Sequence, residues 1–264
     1  MKPQFFETKN ANVAWYKTGS GKPLLMLHGW GSSSKVMMPL AGRISSYRTS
    51  YLIDFPGFGN SHQPPKPWTV SDYADVVEQF INDNLPEGTL DLIVHSFGAR
   101  VAVKLLSERK IGMRFDKIVF TGAAGLKPRR SLRYYLRKYT AKLLKAPFMV
   151  LPDSYRESGL KKLRTTRLWK SLGSSDYRKL SGVMRQTFVS TVNEHLDGKF
   201  PSIKQEILLI WGKADRSTPL EQAKRMDKLL PSSALVIMED AGHYAFIDKP
   251  AQFASIVKAY LEPE

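Results

Sequence analysis

One rhythm constrains this chain more than any other feature. A near-continuous apolar run of strand length enters a loop rich in glycine or proline, and a segment with helical spacing follows. KPLLMLHGWG at residues 22–31 passes from an apolar run into such a loop, and SYRTSYLIDFPGFGNS at 46–61 does so again. LDLIVHSFGARVAVKLLSE at 90–108 reads as strand, sharp turn and helix, while KIVFTGAAG, EILLIWGKADRSTP and ALVIMEDAGHYAF supply three more strands. QFFET and NVAWYKT form an opening hairpin. Between these runs, Tyr73, Val76, Val77, Phe80 and Ile81 recur at helical spacing within residues 69–85, with Thr69 or Ser71 as the N-cap and Asp72 and Asp75 in the first turns. Strands buried on both faces and alternating with amphipathic helices require a mostly parallel central sheet with helices on both faces, an α/β fold. In such a sheet, sites form in the loops at the strand C-termini.

The rhythm breaks between Gly125 and about Ser202. Helix-like runs such as SLRYYLRKYTAKLLK and SSDYRKLSGVMRQTFVSTVNEHL replace it, with a break from Pro147 to Pro152 and a basic loop around Lys161 to Arg167. The chain therefore divides into a core, 1–126 and 203–264, and a helical insertion, 127–202. That insertion holds most of the charge. The formal net charge is +16, and from Lys127 to Phe200 there are 18 Lys or Arg against 5 Asp or Glu. A basic balance of this size suits nucleic acid, an anionic membrane surface or an acidic substrate. No zinc-finger spacing, helix-turn-helix signature or aromatic RNA-binding motif accompanies it, which disfavours nucleic acid. In SLRYYLRKYTAKLLK, Leu132, Tyr135, Leu136, Tyr139 and Leu143 form an apolar stripe. Such a stripe packs on a core, guides an apolar acyl group or touches an anionic membrane.

The remaining composition narrows the classes. With 42% hydrophobic and 24% charged residues the chain is globular. The opening MKPQFFETKNANVAWYKTGSG lacks a continuous apolar core of the kind a signal peptide needs, and no run approaches 18 apolar residues. Zero cysteines exclude disulfides and thiolate chemistry; they fit a reducing compartment and equally many secreted bacterial proteins, and the cytoplasm is the setting expected in the absence of a signal peptide pattern. Five scattered histidines argue against a structural metal site. The DFPGFGNS loop lacks both the full P-loop pattern and G-x-G-x-x-G, so it shapes a pocket floor rather than cradling phosphate, and no cofactor is expected.

The chemistry centres on LIVHSFGAR. A strand running straight into a helix forces a tight turn at Ser96, whose side chain then projects at the helix N-terminus, where free N–H groups favour a developing anion. The nucleophile pattern for such a turn is G-x-S-x-G, and Val94 stands where its first glycine would be. The strand behind the turn must therefore house a branched side chain. A serine hydroxyl needs a base, itself oriented by an acid. His243 after the last strand supplies the base, and Asp215 after the preceding strand supplies the acid, in the chain order Ser, Asp, His. Taken singly, Asp215 could instead cap a helix beginning near Thr218 or Pro219, and His243 could be a loop histidine. Asp240 and Asp248 are rival acids. The oxyanion would be met by the backbone N–H groups of Phe97 and Trp30, with His28 bracing the HGWG loop. His95 is a neighbour bonded internally, and His195 is a solvated or lid histidine.

HGWG at 28–31, DFPGFGNS at 54–61, VHSFG at 94–98, WGKADRSTP at 211–219 and GHYAF at 242–246 together resemble the α/β-hydrolase superfamily, in its lid-bearing serine esterase-like group. The resemblance spans nearly the full length and implies Ser96 as nucleophile, Asp215 as acid, His243 as general base, and a lid after the sixth strand. It implies a small-molecule acyl substrate, with a carboxylic ester first and C–C bond, thioester or amide hydrolysis or acyl transfer behind it. A serine at the elbow argues against the dehalogenase and epoxide hydrolase branches, which use aspartate. A non-catalytic binding protein on the same fold is the alternative of a different class.

Overall fold

The structure, a computed structural model, describes residues 1–128, 132–166, 180 and 182–262. Two compact units emerge, one of Met1–Lys127 with Gln186–Glu264 and one of Pro128–Arg185.

The first unit is built on eight strands: β1 (Gln4–Thr8), β2 (Ala11–Thr18), β3 (Lys22–Leu27), β4 (Arg48–Ile53), β5 (Leu90–His95), β6 (Phe115–Thr121), β7 (Ile207–Gly212) and β8 (Ser233–Met238). They form one sheet in the order β1-β2-β4-β3-β5-β6-β7-β8. β1 and β2 pair as the antiparallel hairpin expected, β2 joins β4 antiparallel, and every pairing from β4 to β8 is parallel. The burial of the strands follows from that topology. β4, β5 and β7 are buried at every position because helices cover both faces, whereas β8 at the edge is only partly buried.

Helices α1 (Met38–Arg43), α2 (Val70–Asn84) and α3 (Phe97–Glu108) lie between the early strands. Leu40, Ala41 and Ile44 at α1 share one apolar cluster with Phe253, Val257 and Leu261 of the C-terminal helix, Pro250–Leu261, against Met26, Ile93 and Val119 of the sheet. On the other face Phe80 of α2 packs on Phe6 and Trp15. α2 starts where a capping box can form. The Thr69 N–H donates to Asp72 Oδ2 (2.7 Å), and the Asp72 N–H donates back to Thr69 Oγ1 (3.4 Å). At the far end of the sheet from the elbow, buried Asp91 accepts from Lys22 Nζ at 2.8 Å and Arg48 Nε at 2.7 Å.

Val94 is accommodated without distortion of the sheet. It is fully buried and in register with Leu27 on one side and Phe120 on the other. The close approach falls at Gly98 instead, where a Cβ would stand 2.9 Å from Leu27 Cβ and press on the Leu27 carbonyl. The second glycine of the nucleophile pattern is therefore the one this packing needs.

The second unit contains α4 (Leu132–Met149) and α5 (Asp153–Thr165), and α6 (Gly182–Asn193) bridges from its end into the first unit. α4 continues through Pro147 for two residues and stops, since proline removes one backbone donor near the helix end. The basic loop expected around Lys161 to Arg167 is a correction. Lys161 to Thr165 are the last turn of α5, where Lys, Leu and Arg favour helix, and Arg167 lies outside the described residues. The part of SSDYRKLSG before Leu180 lies outside them too. Residues 186–202 are tied to the sheet unit, with the Trp68 N–H donating to Thr187 Oγ1 at 3.1 Å and Arg100 donating to the carbonyl of Glu194. Among the described residues no helix is long and apolar enough to cross a membrane. Two short helices complete the sheet unit, α7 (Leu220–Leu229) and α8 (Ala245–Asp248).

Candidate active site

Ser96 sits between the end of β5 and the first residue of α3 with φ 51° and ψ −107°. Few residues other than glycine adopt such backbone, and holding one there costs about 1–3 kcal/mol. The neighbouring strand holds the turn in place. The Ser96 N–H donates to Thr121 O (3.1 Å), and Ser96 O accepts from Ala124 N–H (3.0 Å) and Ala99 N–H (3.1 Å). The side chain is half-buried rather than packed away.

The turn after β6 that holds Ser96 also adjoins the histidine. A Cβ at Gly122 would lie 3.0 Å from His243 Nδ1. That nitrogen is 2.8 Å from Asp215 Oδ2. A carboxylate only accepts, so Nδ1 carries the proton and Nε2 keeps its lone pair. Asp215 is held on both oxygens. Oδ1 accepts the N–H groups of Ser217 (2.8 Å) and Thr218 (2.9 Å), while Oδ2 lies 2.8 Å from Thr218 Oγ1 as well as facing His243. The helix that follows starts only at Leu220 with Pro219 as its N-cap, so Asp215 does not cap it; Oδ1 closes the turn ahead of that helix while Oδ2 faces the histidine. Burial pushes the Asp215 carboxyl up, but the bonds from His243 and Thr218 outweigh it and hold the group below the ordinary carboxylate value.

The rival acids do other work. Asp240 is exposed, with its nearest cation Lys249 at 3.7 Å, and Asp248 accepts the Gly242 N–H at 2.7 Å, which fixes the loop just before His243. His95 lies under His243. Its Nε2 is 3.1 Å from the His243 carbonyl, so it donates there, and burial next to His243 lowers its pKa to about 3. It stays neutral as a support. His195 is exposed after α6.

The HGWG loop closes on the elbow. A Cβ at Gly29 would stand 3.2 Å from Ser96 Cβ and 2.8 Å from His95 Nδ1, so the backbone approaches only because the residue is glycine. His28 is fully buried and its tautomer is fixed: Nε2 accepts the Phe55 N–H (3.0 Å), so Nδ1 donates to Gly29 O (2.8 Å). Burial pushes it down to about 4. Pinning the Gly29 carbonyl turns the Trp30 N–H of the same planar peptide the opposite way. Among the described residues neither that N–H nor the Phe97 N–H donates to a backbone acceptor. The Trp30 ring packs on Phe58 (4.8 Å), Phe97 (5.2 Å) and Phe188 (5.2 Å), giving an aromatic wall beside the elbow.

Asp54 and Thr218 carry more of this geometry than the sequence suggested. Buried Asp54 accepts the Ser34 N–H (2.7 Å) and the Asn60 N–H (2.8 Å), bridging the HGWG and DFPGFGNS loops. Its place at a strand end before a glycine-rich loop was the available signal. Among the described residues no group of three or more His, Asp or Glu stands where it could hold a metal ion.

A family model for the α/β-hydrolase fold matches residues 22–250, and the chain belongs to that family. Among curated relatives, the pimeloyl-(acyl-carrier protein) methyl ester esterase of Nitrosomonas europaea is 27% identical over 263 residues, covering 94% of this chain and 99% of its own length. The enzyme of the same name from Photobacterium profundum is 23% identical over 274 residues, covering 95% and 98%. Among solved structures, a thermophilic esterase from Thermogutta terrifontis shares the fold with a TM-score of 0.71 at 19% identity, covering 99% of this chain and 98% of that one.

Proposed function

We propose that the protein is a serine hydrolase that cleaves carboxylic esters of small molecules through an acyl-enzyme on Ser96. The observation that carries this reading is the 2.8 Å bond from His243 Nδ1 to a buried Asp215, which leaves Nε2 basic, next to the turn that also fixes Ser96. Ser96 Oγ bonds to the ester carbonyl carbon as its proton passes to His243 Nε2. The Trp30 and Phe97 N–H groups donate to the oxyanion. Collapse breaks the bond to the alcohol, which leaves with the proton from Nε2. Water then enters by the same route, giving its proton to His243, and the acid departs as Ser96 recovers its own. The relatives named as methyl ester esterases support ester as the bond class, and the Trp30, Phe58, Phe97 and Phe188 rings favour an apolar acyl group.

The helical segment between β6 and β7 is read as the lid, since it leaves the core at the C-terminal end of a parallel strand. A panel of acyl esters, thioesters and amides of graded chain length tests the proposal, with Ser96→Ala as the blank. Ester turnover absent from the blank is expected. Equal turnover in the blank, or none on any acyl substrate, rejects the proposal.

A further inference from the structure

Among the described residues thirteen large apolar side chains are exposed, and seven of them fall between residues 136 and 155. Leu136, Tyr139 and Leu143 recur along α4 at helical spacing and are 70%, 62% and 74% exposed. Met149, Val150 and Leu151 then follow where α4 ends and the chain turns into α5, with Val150 at 84%. The two helices pack on each other through Phe148 and Gly159, so this apolar turn sits at the end of a helix pair. Residues 132–166, which hold both helices, carry 9 Lys or Arg against 2 Asp or Glu. Lys142, Lys161 and Lys162 are exposed on these two helices.

We propose that α4, α5 and the turn between them dock the protein on an anionic lipid surface, with Met149, Val150 and Leu151 entering the headgroup region. Exposed apolar side chains alone would fit many partners. The charge selects one with dense negative charge, since basic side chains beside an apolar face draw a protein to anionic headgroups while the apolar groups enter the interface. An acidic protein would satisfy the charge but offers no use for three consecutive apolar side chains at a turn, whereas a fluid interface takes them without a matching pocket.

The chain contains no cysteine, so one introduced at a chosen position carries a label uniquely. Val150→Cys and Met113→Cys, both at sites 84% exposed, are labelled with an environment-sensitive fluorophore, with Met113 standing in the sheet unit as the control. The full-length proteins are mixed with vesicles of phosphatidylcholine, with and without phosphatidylglycerol. The expected result is a severalfold, blue-shifted rise in emission at 150 with the anionic vesicles only, reversed by high salt, and none at 113. No change at 150, or an equal change at 113, overturns the proposal. So does vesicle binding that poly-glutamate competes away while the label at 150 stays dark, which would assign the surface to an acidic protein.

Discussion

Residues 1–127 with 186–264 carry 24 Lys or Arg against 21 Asp or Glu, whereas residues 128–185 carry 16 against 3. The apolar side chains differ as sharply. In the sheet unit those of β4, β5 and β7 are all buried, while along α4 Leu136, Tyr139 and Leu143 stand exposed. Three buried carboxylates of the sheet unit are each held by several partners at once: Asp215 on both oxygens, Asp54 between two loops, Asp91 between two cations. In the helical unit the pair Arg156–Asp153 lies within one helix, and Asp153 is almost fully exposed. Chemistry that needs atoms fixed to a fraction of an ångström belongs on the first kind of scaffold. A surface that meets a diffuse charged partner needs only the second kind.

The contrast breaks most visibly at the elbow. Ser96→Ala or His243→Ala is expected to lower kcat on an ester substrate by about 10⁴- to 10⁶-fold, measured by steady-state turnover. A loss under tenfold would mean that the fixed geometry serves something other than nucleophilic catalysis. Next in size, Asp91→Ala leaves Arg48 buried without its carboxylate and is expected to cost about 3–5 kcal/mol in denaturant unfolding. Asp153→Ala in the helical unit should leave the midpoint unchanged. Equal effects would erase the distinction between the two regions.

Acid sharpens the comparison further. In the unfolded chain His28 and His95 take up protons near pH 6.5, but the folded protein protonates them only near 4 and 3. The unfolded state thus binds more protons in that window, and stability falls as the pH drops from 6.5, by about 1.4 kcal/mol per pH unit for each ring. Urea midpoints across this range measure it, and His95→Gln should flatten the slope. A slope that His95→Gln leaves unchanged would show that the ring is not held neutral. The smallest effect concerns strain. Ser96→Gly should be about 1 kcal/mol more stable than Ser96→Ala, because glycine adopts φ 51° freely. Equal stabilities would mean that the turn relaxes once the serine is gone.

The sheet was legible because central strands buried on both faces are written as largely apolar runs ahead of glycine-rich loops, and all eight segments read as strands became strands. The candidate site was legible for a related reason. Strand ends fall before glycine-rich loops, so Ser96, Asp215 and His243 could be placed from local sequence. What stayed hidden depends on distant contact. Nothing near Asp54 reveals that it reaches Ser34, nor does anything near Asp248 reveal that it fixes the Gly242 N–H ahead of His243. Asp215 resembled a helix cap because its other oxygen closes the turn just before the helix, which itself starts two residues later than Thr218, at Leu220. In the helical unit the periodicity shows helix but not exposure. A stripe of Leu and Tyr reads the same whether it meets a core or solvent, and here Leu136, Tyr139 and Leu143 meet solvent.

The central claim is that Ser96 is an activated nucleophile, and a fluorophosphonate probe reads that property without knowledge of the substrate. Folded protein should be labelled at Ser96, as mapped by peptide mass, with labelling abolished in Ser96→Ala and strongly slowed in His243→Ala. Folded protein that takes no label, or takes it equally in His243→Ala, would contradict the account.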